Sequence, residues 1–332
     1  MEGIAPRTVT PFLVATWLCL TAAPSRPAGE GANERGARIE FQRDDHQGRM
    51  QVLIDGREAF GYCYGGAVDL PHYFPVRSPS GKLLTIEQTE PYPHHRSVWF
   101  ADTVRLEGRR RASFYNALYT RVTRDDPTSP FRDRIRHVEF LPATAEGGQA
   151  KIGMRLLWEM DLNVPVLDEL RRMQIVALGQ GEYFVDIMFT LTASYGDVAF
   201  ESDAVHYAWP FVRMSPEFSV SQGGTITDSE GRTNQAQTNG QIARWVDDSN
   251  TVEGVTEGLA VFSHSDNDHP HRWLTRDYGT FGPRRSDDKS GKPFTLKRGE
   301  SLVQRVGLLV HRGDVKGGRV AERYEQYIDG KL

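Results

Sequence analysis

Residues 184–193 carry the pattern that most limits how this chain can fold. Apolar residues occupy every second position there: Val185, Ile187, Phe189, Leu191 and Ala193. Successive side chains of a β-strand point to opposite faces of its sheet, so a period of two predicts a strand with one buried face.

Further segments have the composition of strands: residues 50–54, 152–158, 259–264 and 303–311. Clusters of Gly, Pro, Asn and Asp separate them, as turns separate strands. Only the C-terminal end shows clear helical spacing, at Val320, Tyr324, Tyr327 and Ile328. Many strands closed by one helix predict an all-β sandwich or barrel.

The apolar pattern extends from about residue 37 nearly to the C-terminus, without an internal repeat or a low-complexity tract. Hydrophobic residues make up 39% of the chain and are spread evenly, which is enough for a large core. We therefore predict a single domain over residues 37–332.

The first 28 residues have the layout of a secretory signal peptide. A short apolar run, residues 12–20, is followed by small residues and then by a polar stretch rich in Gly and Pro. The run is shorter than the roughly 20 apolar residues that span a bilayer. We predict cleavage between Ala22 and Gly29, a flexible leader over residues 29–36, and a secreted or periplasmic protein.

The net charge of −4 gives the chain no overall positive field, which nucleic acid or anionic lipid would require. We therefore predict no nucleic-acid partner and no membrane association after signal cleavage. Cys63 would then be the only cysteine, so an internal disulfide cannot form. The oligomeric state is not determined by these features.

His94, His95 and Arg96 form the first polar motif, between two prolines and the apolar residues 98–100. Side chains beside a rigid strand are well placed to act as proton donors or ligands. Adjacent residues of an extended segment point to opposite faces, so at most one of the two histidines would enter a given pocket. We predict a functional role for at least one of them, with Arg96 binding substrate.

Residues 204–213 form the second motif, in which His206 lies among aromatic residues on a predicted strand. Aromatic faces stack on the C–H faces of sugar rings, while polar side chains bind the hydroxyls. For this segment alone, a core histidine bonded to the backbone is an equal alternative. Trp209 and Arg213 are predicted to contact substrate.

Residues 266–279 form the third motif. His269 and His271 would share a face of an extended segment, and such a pair can chelate zinc or copper when a third ligand comes from elsewhere. Two histidines do not define a metal site, so we predict no cofactor and keep a transition metal as an alternative. The predicted substrate-binding residues here are His269, His271, Arg272, Trp273 and Asp277.

Together these segments resemble the PmoA-like or "methane oxygenase" family, which carries the name of an enzyme although its function is unknown. The resemblance rests on these runs: residues 77–82 (Arg-Ser-Pro-Ser-Gly-Lys), 93–95 (Pro-His-His), 99–100 (Trp-Phe), 243–247 (Ala-Arg-Trp-Val-Asp), 268–270 (Asp-His-Pro) and 310–314 (Val-His-Arg-Gly-Asp). The oxygenase label does not transfer. The methane monooxygenase subunit of that name needs several long apolar spans, and this chain has none after its signal.

The family in turn resembles the galactose mutarotase superfamily, which includes aldose epimerases, lyases and glycosidase-associated domains. His94 and His95 before Trp99 resemble one epimerase histidine motif, and residues 205–207 (Val-His-Tyr) resemble the other without its asparagine. The catalytic glutamate of the epimerases has no match. The resemblance implies a large antiparallel β-supersandwich with a short C-terminal helix.

We therefore predict a carbohydrate-active protein whose partner is a carbohydrate or a small glycoside, and we favour an enzyme. In this hypothesis His206 is the general acid and His95 or His94 assists, because an imidazole pKa near 6.5 suits proton exchange near neutral pH. A non-catalytic carbohydrate-binding domain is the first alternative. A metal-dependent oxidoreductase or hydrolase, with His269 and His271 among its ligands, is the second.

Overall fold

The computed structural model describes residues 37–202, 207–267, 271–284 and 293–332. All of them belong to one compact unit, Gly36–Leu332. The predicted signal peptide and leader lie outside the described residues.

The described residues form 21 strands and two α-helices. The first ten strands are β1 Ile39–Asp44, β2 Arg49–Ile54, β3 Arg57–Cys63, β4 His72–Val76, β5 Val98–Trp99, β6 Thr103–Leu106, β7 Arg111–Ser113, β8 Arg134–Phe140, β9 Thr144–Glu146 and β10 Gln149–Met160. The remaining strands are β11 Val164–Gly179, β12 Glu182–Thr192, β13 Val198–Phe200, β14 Phe211–Arg213, β15 Thr225–Asp228, β16 Trp245–Val252, β17 Val255–Ser263, β18 Arg272–Arg276, β19 Thr280–Arg284, β20 Phe294–Leu296 and β21 Ser301–Arg312. The helices are α1 Asn234–Thr238 and α2 Val320–Ile328, and short 3-10 helices span Ala117–Tyr119, Pro216–Phe218 and Val220–Gln222.

The strands pair antiparallel in three sheets. An eight-stranded sheet has the order β1-β2-β3-β4-β5-β14-β19-β18. A nine-stranded sheet has the order β15-β16-β17-β21-β12-β11-β10-β8, with β9 paired to β10. A small sheet, β20-β13-β6-β7, completes the fold.

The main core lies between the eight-stranded and nine-stranded sheets. Phe60 of β3 stacks on Tyr183 of β12 with ring centroids 6.0 Å apart, and the Tyr183 hydroxyl donates to the Ala59 carbonyl at 2.9 Å. Leu259 of β17 and Val310 of β21 line the same interior. Inward side chains of both sheets thus form one apolar layer, as in a β-sandwich.

All but the last residue of the alternating segment 184–193 falls within β12, where Ile187, Phe189 and Leu191 are buried in the core. The other predicted strands fall largely within β2, β10, β17 and β21. The predicted all-β class, the large antiparallel sandwich and the short C-terminal helix are confirmed.

Helix α2 covers part of the nine-stranded sheet on the side away from the core. Tyr327 packs edge-on against Phe184 at 5.0 Å, and its hydroxyl donates to Asp186 at 2.9 Å. Tyr324 packs against Phe262 at 5.5 Å. The residues that set the helical period therefore face the sheet.

No helix among the described residues is both long enough and apolar enough to cross a membrane.

Two of the sequence motifs hold parts of the fold together. In residues 77–82, the Ser80 amide and hydroxyl donate to the buried carboxylate of Glu257 at 2.7 and 2.6 Å. His311 Nε2 lies 2.7 Å from Asp247 Oδ1, and both side chains are fully buried. The first contact joins a loop to β17, and the second joins β21 to β16. These motif residues therefore have a structural role.

Candidate functional site

Strand register identifies the face of the eight-stranded sheet that is turned away from the core, which we call the site face. The paired residues that run across the core side are Tyr73, Val98, Val212 and Phe281. Tyr73 lines the interior between the large sheets. Because neighbours along a strand point to opposite faces, Trp99, Phe211 and Thr280 lie on the site face.

A cavity of about 320 Å³ lies on the site face. The loop before β5, the segment after β7 and the hairpin of β18 and β19 contribute its walls. The lining residues are Tyr92, His94, His95, Tyr115, Asn116, Tyr207, Phe211, Leu274, Arg276, Tyr278 and Thr280. Tyrosines and histidines dominate, and none of these described lining residues is an Asp or a Glu.

His95 lies within the aromatic wall of the cavity. Its ring stacks on Tyr92 with centroids 4.8 Å apart and is tilted against Trp99 at 5.3 Å. Its Nδ1 is buried without a hydrogen-bond partner among the described residues. Burial, followed by the neighbouring His94 and by the charges of Arg213 and Arg96, lowers the pKa of His95 to about 3. The imidazole is therefore neutral near pH 7 and has a free nitrogen.

His94 faces the same cavity from the neighbouring position. Its ring centroid lies 4.7 Å from that of His95, and its Nδ1 lies 3.0 Å from the Tyr119 hydroxyl. Burial, and secondarily the charge of Arg96, lowers the pKa of His94. The expectation that only one of the two adjacent histidines would enter a pocket is wrong, because their segment is a turn and not a strand.

Two stacked tyrosines continue the cavity wall beside the histidines, with the ring of Tyr115 edge-on to that of His94 at 5.3 Å. The rings of Tyr115 and Tyr207 lie 3.9 Å apart and nearly parallel, and Asn116 Nδ2 donates to the Tyr207 hydroxyl at 3.5 Å. Tyr278 lies 5.6 Å from Tyr92, the ring that stacks on His95. Flat aromatic faces with amide and hydroxyl groups at their edges suit a sugar ring.

Arg96 was predicted to bind substrate. Instead it supports the turn before β5 that carries His94 and His95, which we call the histidine loop. Its Nη2 donates to the buried carboxylate of Asp69 at 2.6 Å, and its Nη1 donates to the Pro93 carbonyl at 3.0 Å. The side chain is buried and does not line the cavity. The ion pair therefore fixes the backbone that presents His94 and His95.

His72 and Glu87 form a second buried contact on the site face, with Nε2 and Oε2 2.6 Å apart. Burial alone would lower the pKa of His72, but the neighbouring Cys63 and the hydrogen-bonded carboxylate of Glu87 outweigh it and raise the pKa to about 9. A raised pKa in the folded state adds stability below the unfolded value near 6.5, and this stability is lost as the pH rises to about 9.

We therefore expect His72→Gln to flatten the pH dependence of stability. In the wild type, the free energy of unfolding should fall between pH 6.5 and 9, with roughly 1–3 kcal/mol of the fall due to His72. Urea unfolding of both proteins across this range measures the difference. Equal slopes would show that His72 does not carry a proton in the folded protein.

Other predicted residues lie elsewhere on the fold. Trp209 donates from Nε1 to Asp102 at 2.9 Å and Trp273 donates to the Ala243 carbonyl at 2.8 Å, and both rings are buried in the core. Neither is therefore available as a stacking platform. His271 is buried, with Nδ1 beside the Ser263 hydroxyl.

The charged residues predicted to bind substrate in the third motif, together with Arg213, do not all lie beside the cavity. Arg213 lies next to the cavity, with Nη1 donating to the Tyr278 carbonyl at 2.5 Å and its guanidinium 4.5 Å from the centre of the Tyr278 ring. Arg272 donates to the Gly240 carbonyl at 2.9 Å. Asp277 accepts from the Gln235 amide at 2.8 Å and does not line the cavity.

His206 and His269 lie outside the described residues, so their predicted roles stay predictions. Within the described parts of the chain, no three His, Cys, Asp or Glu side chains come together to form a possible metal site.

Several cavity residues were not predicted from the sequence. Tyr92 and Tyr278 stand inside motifs that were recognised for their histidines and charges, whereas Tyr115 and Asn116 lie in a segment that was not singled out. Only the pairing of distant strands brings these segments together, and no local pattern reports that pairing.

A profile of DUF6807, described as a family of unknown function, matches residues 49–325. No curated protein matches the chain.

Among solved structures, the GH36 alpha-galactosidase AgaB from Geobacillus stearothermophilus matches at 9% identity and a TM-score of 0.41, over 84% of this chain and 42% of that one. A polysaccharide lyase matches at 12% identity and a TM-score of 0.40, over 86% and 34%. The galactose 1-epimerase from Lactobacillus acidophilus matches at 8% identity and a TM-score of 0.37, over 83% and 99%. This chain thus spans less than half of the galactosidase and about a third of the lyase.

Proposed function

Because the chain belongs to the DUF6807 family, whose function is unknown, we propose its function from the cavity itself. The protein binds a sugar or glycoside in the cavity and acts on it by histidine acid/base chemistry. The supporting observation is a cavity of about 320 Å³ lined by two imidazoles of lowered pKa and by the stacked tyrosines beside them. This volume is within the usual range for small-molecule sites. The resemblance to the PmoA-like family stays a prediction.

The residues that line the cavity limit the reactions that it could catalyse. Glycoside hydrolysis generally uses a pair of carboxylates beside the scissile bond, and no Asp or Glu is among the described lining residues. A neutral imidazole can instead accept a proton from carbon or oxygen, and His95, which is neutral near pH 7, lines the cavity. We assign the base role to His95 and a supporting role to His94. His206, which immediately precedes Tyr207 in the sequence, is kept as the proposed general acid.

One observation favours the non-catalytic alternative. With its pKa lowered to about 3, His95 is a weak base in the empty cavity, and a weak base transfers protons slowly near neutral pH. A carbohydrate-binding domain would need only the aromatic walls and the hydrogen-bonding groups. Binding and turnover must therefore be measured together.

The test is to incubate purified protein with a panel of neutral and acidic oligosaccharides and to detect products by mass spectrometry. Binding to the same panel is measured by calorimetry. We expect at least one oligosaccharide to bind and to be converted. Binding without conversion would establish the carbohydrate-binding domain instead, and binding of no oligosaccharide would overturn both proposals.

We further propose that the chain is exported and loses its N-terminal segment between Ala22 and Gly29. The expected result is an intact mass, measured on protein from its native host, that corresponds to a chain beginning in that interval. A protein that still begins at Met1 would contradict export.

A further inference from the structure

We propose that the sugar bound in this cavity carries a carboxylate, as a uronic acid does, and that arginines of the site face bind it. This inference rests on the proposed carbohydrate function and adds the class of sugar. It starts from the arrangement of positive charge on the site face.

Arg213, Thr280 and Arg276 lie side by side in one row across β14, β19 and β18. Two strand spacings separate the two arginines, a distance of about 10 Å between their Cα atoms. Four residues along β19 from Thr280, Arg284 pairs with Arg272 of β18. An even number of residues along a strand returns to the same face, so all four arginines belong to the site face.

None of these four arginines forms an ion pair with a carboxylate of the described residues. Arg213 donates to a carbonyl and to the Thr280 hydroxyl, and Arg276 donates to the Asn239 side chain and to the Thr275 carbonyl. Arg284 has no partner for its buried Nε, and the Nε of Arg213 is likewise buried and unpartnered.

Buried arginines elsewhere in the described chain are all paired. Arg96 pairs with Asp69, Arg171 with Glu169 and Arg323 with Glu182. These three side chains belong to residues that are 2%, 0% and 8% exposed, and Arg213 and Arg284 are buried to the same degree, at 5% and 9%. Among the described residues, the buried arginines that lack a carboxylate partner, Arg213 and Arg284, thus both lie on the site face.

A buried charge without a partner is costly, because burial removes the hydration that stabilises it. That cost lowers the pKa of Arg213, and it lowers the pKa of Arg284 to about 10 with a further contribution from the charge of Arg276. A carboxylate bound at Arg276, the one of the four that is among the described lining residues of the cavity, would add negative charge in the row that Arg276 shares with Thr280 and Arg213. The planar guanidinium matches a carboxylate through two parallel hydrogen bonds, and the tyrosine walls place that carboxylate on a ring.

The same anion would act on the proposed base. The charge of Arg213 contributes to the low pKa of His95, so a carboxylate that neutralises Arg213 would raise that pKa. An acidic sugar would therefore make His95 a stronger base than a neutral sugar would, although burial, the largest cause of its low pKa, remains.

The experiment compares oligogalacturonate, oligoglucuronate and alginate oligosaccharides with their methyl esters, which keep the shape and remove the charge. Calorimetry should show that at least one acid binds about tenfold or more tightly than its ester. Arg276→Gln should remove most of this difference, since Arg276 lines the cavity and is only partly buried. Arg155→Gln, on the exposed side chain that pairs with Glu139, is the matched control and should bind like the wild type.

The outcomes separate the two proposals. Equal binding of acids and esters would overturn the carboxylate inference and leave a sugar site in place. Tighter binding of a sulfated oligosaccharide than of every uronate would identify sulfate as the anion and would also overturn it. Failure of every acid, ester and neutral oligosaccharide to bind would overturn the carbohydrate function itself. If Arg276→Gln still bound the acids more tightly than their methyl esters by the wild-type factor, the proposal that these arginines bind the carboxylate would be overturned.

Discussion

A His95→Gln variant is expected to turn over its sugar substrate about 10²- to 10⁴-fold more slowly than the wild type, the usual effect of removing a positioned proton-transfer group. Glutamine keeps hydrogen-bonding capacity and similar size but cannot exchange a proton near neutral pH. The effect should fall on kcat more than on KM, because the tyrosine walls that bind the ring are unchanged. Steady-state kinetics on the converted oligosaccharide measures it.

The control for this substitution is His46→Gln, which changes a histidine whose side chain is exposed to solvent. It should leave kcat and KM unaltered. Thermal unfolding of both variants shows whether the fold survives. Full turnover in His95→Gln would remove His95 from the mechanism, and loss of folding would show that the ring is needed for core packing instead.

The largest expected effect on stability is that of Asp69→Ala. This substitution leaves Arg96 buried without its carboxylate, and breaking a buried ion pair from one side costs about 3–5 kcal/mol. Urea unfolding measures the loss. Because Arg96 also donates to the Pro93 carbonyl, the histidine loop should become less ordered and any turnover should fall as well.

Two further variants test this interpretation. Glu253→Ala removes an exposed carboxylate that lies 3.7 Å from Lys82, and it should cost less than about 1 kcal/mol. The double variant Asp69→Leu, Arg96→Met replaces both charges by apolar groups and should recover much of the stability, although not the position of the loop. A loss below about 1 kcal/mol in Asp69→Ala would contradict a structural role for the pair.

Sequence patterns identified the elements that have one buried face. The period of two in β12 and the helical period in α2 both arise because one side of the element packs on a core and the other does not. The buried face of such an element is visible as an apolar period in its own sequence. The existence of these elements and the all-β class could therefore be predicted without knowing their partners.

Strands buried on both faces could not be interpreted in this way. Every residue of β14 and β19 is buried, so the sequence does not distinguish the core side from the site face. Trp209, which precedes β14, and Trp273, in the neighbouring strand β18, were predicted to contact substrate, although their rings lie in the core. The tyrosines that do form the cavity walls are brought together only by long-range strand pairing.

The arginines illustrate a second limit. Arg213 and Arg276 stand in recognisable polar segments, but the property that matters is that neither pairs with a carboxylate of the described residues. Arg96, two residues after His94, looks equivalent in the sequence and is paired with Asp69 from a distant segment. A partner distant in sequence, or its absence, becomes visible only in the folded protein.

The most direct test of the central claim, that the cavity is where the sugar binds, is hydrogen–deuterium exchange of the wild type with the oligosaccharide that binds most tightly. We predict slower exchange in peptides that cover residues 89–97, 113–119 and 276–280, which contribute Tyr92, His94, His95, Tyr115 and Tyr278 to the cavity. Protection confined to the groove on the nine-stranded sheet beside Arg172, Met188 and Arg305, with none at the cavity, would contradict the claim.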